Sequence, residues 1–290
     1  MDASVTGEGG GDGLTRVSGF RWSPIPGAGQ LIELHAAELP QKNELCGAFW
    51  GTLALRAAGV TGDRDPIDQD TVGLAAGSVL SAVQHDDLPP GERGRTDYRV
   101  SFPLVDDSSV SGTSAGGLVR ALRELSSDRV AVVPVAGPWD PPAVRRLMEA
   151  AASCNPPCTL IANLATVHLW GSRADPSTLL SYLNSGNADL GPPPDWDVGH
   201  FVALVGAIEG PRGMLVAVAD TYRALGWAGL HLQPIERLAH ALARTGSAHS
   251  SGVILVAPAD DGPATEGRIH DAALEVGTWD NGSRDMAQTR

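Results

Sequence analysis

The chain has 290 residues, which suits one large domain at about 100–200 residues per domain. Its 21 basic and 34 acidic residues give a formal net charge of −13. This balance argues against non-specific nucleic-acid binding, which needs basic side chains to neutralise phosphates, and the sequence contains no unbroken apolar run of the ~18 residues that a membrane span requires.

Cysteine usage and the two ends of the chain predict a cytoplasmic protein with one folded unit. The three cysteines, Cys46, Cys154 and Cys158, cannot all pair with one another, and the first residues lack the basic and apolar stretches of a signal peptide. We expect residues 1–13, which are rich in glycine, and the polar residues 258–290 to be disordered. The folded domain should then cover residues 14–257.

Three helices are predicted in the first half of the chain. Apolar residues recur at helical spacing from Cys46 to about Gly59, and again over residues 69–83. Thr113 or Ser114 can cap the third helix, GGLVRALREL.

The second half alternates predicted strands with helices. Short β-branched runs bounded by Gly or Pro predict five strands, and the segments between them have helical patterns. Because helices come first and strands cluster later, we predict an α+β fold. The strands lie at 129–137, 158–164, 200–208, 214–220 and 251–258, and the helices at about 141–152, 175–184 and 234–245.

Cys46 is the candidate nucleophile. It opens the first predicted helix, where the positive end of the helix dipole favours a thiolate and free backbone N–H groups can hold an oxyanion. Gly47 would leave room beside the sulfur for a substrate, and Gln41 could direct an amide N–H at the same oxyanion. The alternative is a buried cysteine that only fills space.

His200 and Asp220 are the candidate base and its orienting acid. His200 begins one predicted strand and Asp220 ends the next. If the two strands form an antiparallel hairpin, the start of the first lies near the end of the second. Asp220 would then orient the imidazole and support its charged form. The alternative is a histidine satisfied by a backbone carbonyl.

These residues resemble the papain-like cysteine peptidase superfamily. The likeness rests on the segments CGAFW from Cys46, HFVALVG from His200 and DTYRALGWAG from Asp220, and on their order. It is closest to the bacterial branch that processes double-glycine leaders, which implies Cys46, His200 and Asp220 as a triad and Gln41 as the oxyanion residue. Gln41 lies one residue nearer the cysteine than that branch implies. The long interval before His200 implies an inserted helical lid over residues 62–128.

A narrower resemblance is to the actinobacterial Dieckmann cyclases, which release tetramic acids and pyridones from hybrid polyketide–peptide assembly lines. It rests on QKNELCGAFWGTLALRAAG, DQD, SGTSAGG, PPPDWDVGHFV and DTYRALGWAGLH. It implies that Cys46 takes a β-ketoamide chain from a phosphopantetheinylated carrier protein and that carbon–carbon bond formation releases the ring. No cofactor or metal is implied.

Other functions remain open at the level of sequence. The same triad would serve a cysteine peptidase, amidase or thioesterase, and the fold could also be a catalytically inactive binding module. Residues 112–116 match G-x-S-x-G, but a polar segment precedes them where a nucleophile elbow needs a buried strand, so Ser114 is better explained as a helix cap. Asp68 and Asp70 suit a helix start, although DQD belongs to the resemblance.

Overall fold

The computed structural model describes residues 15–17, 19–62, 66–83 and 88–285, so the expected disordered segment 1–13 lies outside it. The described chain forms strands and helices in a mixed order. The strands are β1 (Thr15–Val17), β2 (Phe20–Pro24), β3 (Leu80–Ser81), β4 (Leu104–Val105), β5 (Val130–Ala136), β6 (Thr159–Ala165), β7 (Gly199–Glu209), β8 (Met214–Ala219), β9 (Leu230–Pro234), β10 (Val253–Pro258) and β11 (Glu275–Val276). The helices are α1 (Ala28–Ala37), α2 (Cys46–Ala57), α3 (Gln69–Ala75), α4 (Ala115–Ser126), α5 (Pro141–Ala152), α6 (Pro176–Ser185), α7 (Ile235–Ala243) and α8 (Gly262–Asp271).

A nine-stranded sheet forms the centre of the fold, and its neighbouring strands are antiparallel. The long strand β7 organises it: β8 pairs along one side, while β6 and then β2 pair along the other. Strands β10, β5 and β11 extend the sheet beyond β6. The predicted α+β class with an antiparallel sheet is therefore confirmed.

Helices cover both faces of the sheet. Apolar residues of α1, α2, α3 and α4 pack on one face, and those of α5, α7 and α8 pack on the other. Strand β7 is buried on both sides because its residues alternate: Phe201 and Ala203 face α2, while Val202 and Leu204 face the opposite core. This double burial explains why the strand reads as a continuous apolar run.

The sequence predicts a helical lid in the region 62–128, and buried apolar residues in the described part of this region belong to the core on the α2 side of the sheet. Helices α3 and α4 of this region pack directly against α2: a Cβ added at Gly51 would lie 2.8 Å from Leu118 and 2.9 Å from Val72. Helix α3 also ends early, at Ala75, because Gly77 adopts a positive φ of 67°. Among its described residues, the connection between α3 and α4 holds the short strands β3 and β4 and a 3₁₀ turn.

The prediction that residues 258–290 are disordered is wrong for the described part, up to residue 285. Helix α8 buries Ile269 completely, and Leu274 and Trp279 are also buried. Strand β11 pairs with β5. A few apolar residues of this polar segment are therefore enough to add a helix and an edge strand, because Ile269, Ala272, Leu274 and Trp279 reach the core.

No helix among the described residues is both long and apolar enough to span a bilayer.

Candidate active site

Cys46 is the first residue of α2 and is half-buried. No side chain caps this helix end, and the first N–H groups of a helix have no partner within it. The sequence suggested that Gly47 leaves room for a substrate, but the space beside it is filled by Thr113 and Phe201. A Cβ there would lie 3.0 Å from Thr113 and 3.2 Å from Phe201, so the glycine lets the start of α2 pack closely on β7.

His200 and Asp220 meet because β7 and β8 form the predicted hairpin, with Ala203 opposite Ala219. His200 Nε2 lies 3.1 Å from Asp220 Oδ1, and both side chains are 2% exposed. The backbone N–H of Tyr222 donates to the same carboxylate oxygen at 3.2 Å. The Asp220 carboxylate is thus fixed and can orient the imidazole.

The charges of this pair stabilise each other. Burial by itself would lower the pKa of His200, but Asp220 and, to a smaller extent, Cys46 raise it to about 10. Burial would raise the pKa of Asp220, but His200 and then His231 hold it well below its usual range. At neutral pH the arrangement therefore favours an imidazolium beside a carboxylate.

His231 is a second imidazole at Asp220 that the sequence analysis missed. Its Nε2 lies 3.7 Å from Asp220 Oδ2. Gln233 Nε2 lies 2.9 Å from His231 Nδ1, and because an amide nitrogen donates, Nδ1 accepts and Nε2 carries the proton. His231 therefore presents an N–H to the carboxylate oxygen that His200 does not use. Its position in the alternating strand β9 was the only sequence signal.

The Cys46 thiol interacts with the His200 imidazole, and this contact helps to raise the pKa of His200. His200 Nε2 is occupied by Asp220 and by Thr221 Oγ1, 3.3 Å away. Nδ1 is thus the ring nitrogen that is left for the sulfur. The thiol, imidazole and carboxylate form one connected series, as proton transfer from the sulfur would require.

Gln41 lines the same cavity as Cys46 and His200. Its side-chain oxygen accepts a hydrogen bond from Thr221 Oγ1 at 2.6 Å, so the amide group is turned with its NH₂ end away from Thr221. Within the described part of the chain, that end makes one long contact of 3.4 Å, to the carbonyl oxygen of Lys42. An amide N–H therefore remains for a substrate oxygen.

The DQD segment, residues 68–70, packs against the loop that precedes Cys46. Lys42 is the only lysine of the chain, and its buried Nζ lies 2.5 Å from Asp70 Oδ2. The Lys42 backbone N–H donates to Gln69 Oε1 at 2.7 Å, and Asp68 caps α3 by accepting from Thr71 N. Gln69 and Asp70 therefore help to position the Gln41–Cys46 loop, and residues 68–70 do not line the cavity.

The cavity has a volume of about 910 Å³, at the upper end of the range for small-molecule sites. Trp196 and Tyr222 cover the imidazole of His200, with ring centroids 5.0 and 6.3 Å away. The connection between α3 and α4 supplies most of the apolar wall: Leu80, Val83, Leu88, Tyr98, Val100, Phe102 and Leu104.

The other residues that the sequence analysis considered, Ser114, Cys154 and Cys158, cap a helix or fill the core. Ser114 accepts from Gly117 N and caps α4, as predicted. Cys154 and Cys158 are buried in the core on the opposite face of the sheet. Within the described ranges, no group of three or more His, Cys, Asp or Glu side chains could hold a metal ion.

Comparison with known proteins places the chain in a family without assigning an activity. No curated protein matches the sequence. Residues 25–280, which include Gln41, Cys46, His200 and Asp220, match a family of unknown function, DUF6885. Since this match covers most of the sequence, the chain belongs to the DUF6885 family.

Proposed function

We propose that this protein is a Dieckmann cyclase with a papain-like catalytic domain, which releases a carrier-bound β-ketoamide thioester as a tetramic acid or pyridone. The observation that carries the proposal is the convergence of Cys46, His200 and Gln41 on one cavity wall, with Asp220 hydrogen-bonded behind the imidazole. A helix that presents a cysteine to an antiparallel sheet supports the papain-like assignment.

The first step is acyl transfer to sulfur. The Cys46 thiolate attacks the thioester carbonyl, and the developing oxyanion is held by the Gln41 amide and the N–H groups at the start of α2. The carbon–sulfur bond to pantetheine then breaks. The leaving thiolate takes the proton of the His200 imidazolium, so the step leaves an acyl-Cys46 thioester and a neutral imidazole.

The second step forms the carbon–carbon bond. His200 enters this step neutral, since it has given its proton to the leaving thiolate, and its pKa, raised mainly by Asp220, makes it a strong base. It takes the acidic proton between the two carbonyls of the chain. The resulting enolate carbon attacks the acyl carbonyl, the ring closes, and the Cys46 thiolate leaves beside a reprotonated His200.

The cavity decides between ring closure and hydrolysis. Water would cleave the same acyl-enzyme to a linear acid, so the enolate must be held about 3–3.5 Å from the acyl carbonyl while water is excluded. The apolar wall between α3 and α4 and the rings of Trp196 and Tyr222 line this space. The opening of the cavity would admit the pantetheine arm of the carrier protein.

A synthetic β-ketoamidoacyl thioester of N-acetylcysteamine tests the proposal. We expect the purified protein to release the thiol and form the cyclic product, identified by mass spectrometry against a synthetic standard. Cys46→Ala should form no ring and trap no acyl group. Cys154→Ala is the matched control, since this cysteine is buried in the other core, and it should retain ring formation.

The identity of the product distinguishes cyclisation from hydrolysis of the acyl-enzyme. A linear acid without any ring would contradict the cyclase proposal and support a thioesterase with the same triad. Ring formation at the wild-type rate by Cys46→Ala would exclude covalent catalysis at this residue.

A further inference from the structure

Arg244 presents a buried guanidinium to the cavity. It follows α7 with a left-handed φ of 46° and is only 7% exposed, yet it lines the same cavity as Cys46 and His200. A charged group that is removed from water to this extent normally has a counterion.

Among the described residues, Arg244 donates only to uncharged oxygens. Its Nε donates to Ser251 Oγ at 2.5 Å, its Nη1 to the Asn281 carbonyl oxygen at 3.2 Å and its Nη2 to Asn163 Oδ1 at 2.8 Å. Three of the five N–H groups of a guanidinium are then occupied. Cys46 and then Asp280 act on it through their charges, and neither makes a hydrogen bond to it, so an anion within the cavity would supply acceptors for the other N–H groups.

The guanidinium lies next to the candidate catalytic histidine. Asn163, which accepts from Arg244, also donates to the His200 carbonyl oxygen at 3.4 Å. A Cβ added at Gly199 would lie 2.9 Å from Arg244 Nη2, so the guanidinium packs against the backbone just before His200. A side chain at position 199 would have to push the guanidinium away from this position.

We propose that Arg244 is an anion-binding residue that holds a planar, delocalised oxyanion of the substrate within reach of Cys46 and His200. A carboxylate and the enolate of a 1,3-dicarbonyl share this chemistry, and a guanidinium binds either with charge-assisted hydrogen bonds. The enolate assignment rests on the proposed cyclase function, in which this anion forms when His200 takes the proton between two carbonyls. The anion site itself rests on the buried guanidinium, on its N–H groups that have no acceptor among the described residues, and on its position in the cavity.

Calorimetry with a matched pair of small probes tests the site. A simple tetramic acid is an enolate anion at neutral pH, and its methyl enol ether is neutral and of nearly the same shape. We expect the wild type to bind the anion about tenfold more tightly than the ether, or better, since hydrogen bonds to charged groups are the stronger ones. Arg244→Gln should remove this preference and Arg244→Lys should retain part of it. The control Arg237→Gln changes the same charge at a surface ion pair and should preserve the preference.

Two further measurements keep the test decisive. If Arg244→Gln does not fold, Arg244→Lys is compared with the wild type: the tetramic acid should slow alkylation of Cys46 by iodoacetamide more strongly than the ether does, and this difference should be smaller in the variant. Malonate, compared with malonamide, distinguishes the sources of the anion, and tighter Arg244-dependent binding of malonate than of the tetramic acid would overturn the enolate assignment.

The outcomes also separate this inference from the proposed function. Arg244-dependent anion binding without ring formation would support the anion site and contradict the cyclase. If the wild type binds the anion and the ether equally and Arg244→Gln forms the ring at the wild-type rate, the anion site is overturned and the cyclase stands.

Discussion

The hydroxyl of Thr221 donates to the side-chain oxygen of Gln41 over 2.6 Å, and this bond determines which end of the Gln41 amide is available in the cavity. Thr221 directly follows Asp220 and also lies 3.3 Å from His200 Nε2. One residue therefore connects the candidate oxyanion donor to the candidate base. The geometry of the two groups should change together when Thr221 is altered.

Thr221→Val should lower kcat for ring formation by about tenfold with a small change in KM, because the isosteric residue leaves the Gln41 amide free to rotate. Gln41→Ala removes the donor itself and should cost about 10²–10³-fold. Thr52→Val is the matched control, since its hydroxyl donates to Ala48 within α2, and it should leave kcat unchanged. If Thr221→Val and Thr52→Val have equal activity, Thr221 does not position the amide.

Asp220→Asn should lower kcat/KM by about 10²–10⁴-fold, as expected when the orienting acid of a triad is neutralised. It should also lower the pKa of His200, because Asp220 is the main group that raises it. Kinetics and an NMR titration of the imidazole would measure the two effects. Asp189→Asn, at an exposed ion pair, serves as the control. An unchanged His200 pKa in Asp220→Asn would refute the assigned electrostatic role.

The His200 imidazolium should make stability depend on pH. Its pKa is about 10 in the folded protein against an ordinary value of 6.5, so the folded state binds the proton more tightly. This contribution is complete below pH 6.5 and is lost as the pH rises towards 10. The free energy of unfolding, measured by urea denaturation, should fall more steeply over this window in the wild type than in His200→Gln. Parallel curves would contradict the prediction.

The buried Lys42–Asp70 ion pair should be a major contributor to stability. Lys42→Met removes the nearer of two cations from the fully buried Asp70 carboxylate, which keeps Arg99 Nε at 3.6 Å, and should lower the free energy of unfolding by up to about 3–5 kcal/mol. The double variant Lys42→Met/Asp70→Leu should be less destabilised than Lys42→Met alone. Arg237→Met, which breaks an exposed pair, should cost at most about 1 kcal/mol. Similar losses for Lys42→Met and Arg237→Met would argue against a buried charge pair.

A pair of glycine substitutions tests the packing of α3 and α4 on α2. Gly51→Ala puts a methyl group within 3 Å of Leu118 and Val72 and should lower the free energy of unfolding by about 1–3 kcal/mol. Gly267 lies within α8 with nothing near its Cβ position, so Gly267→Ala should stabilise by up to about 1 kcal/mol. Thermal melts of both variants would show the contrast. A stabilised Gly51→Ala would mean that the helices are less tightly packed.

Local patterns predicted much of the secondary structure and the core of the site. The start of α2 at Cys46 follows from helical periodicity, and the meeting of His200 with Asp220 follows from two apolar strands joined by a short turn. Both depend on residues that are close in sequence. By contrast, α1, β9 and α8 were missed because their patterns are weak and their stability comes from packing on the sheet.

The sequence by itself determined the candidate nucleophile, the hairpin that joins base to acid, and the α+β class, since each follows from short-range periodicity. Only the tertiary structure decided that α3 and α4 belong to the core, that His231 supports Asp220 and that Arg244 lies beside His200. All three features depend on contacts between segments that are distant in sequence. The neighbouring residues in the sequence do not show that a side chain such as Arg244 is buried or what it contacts.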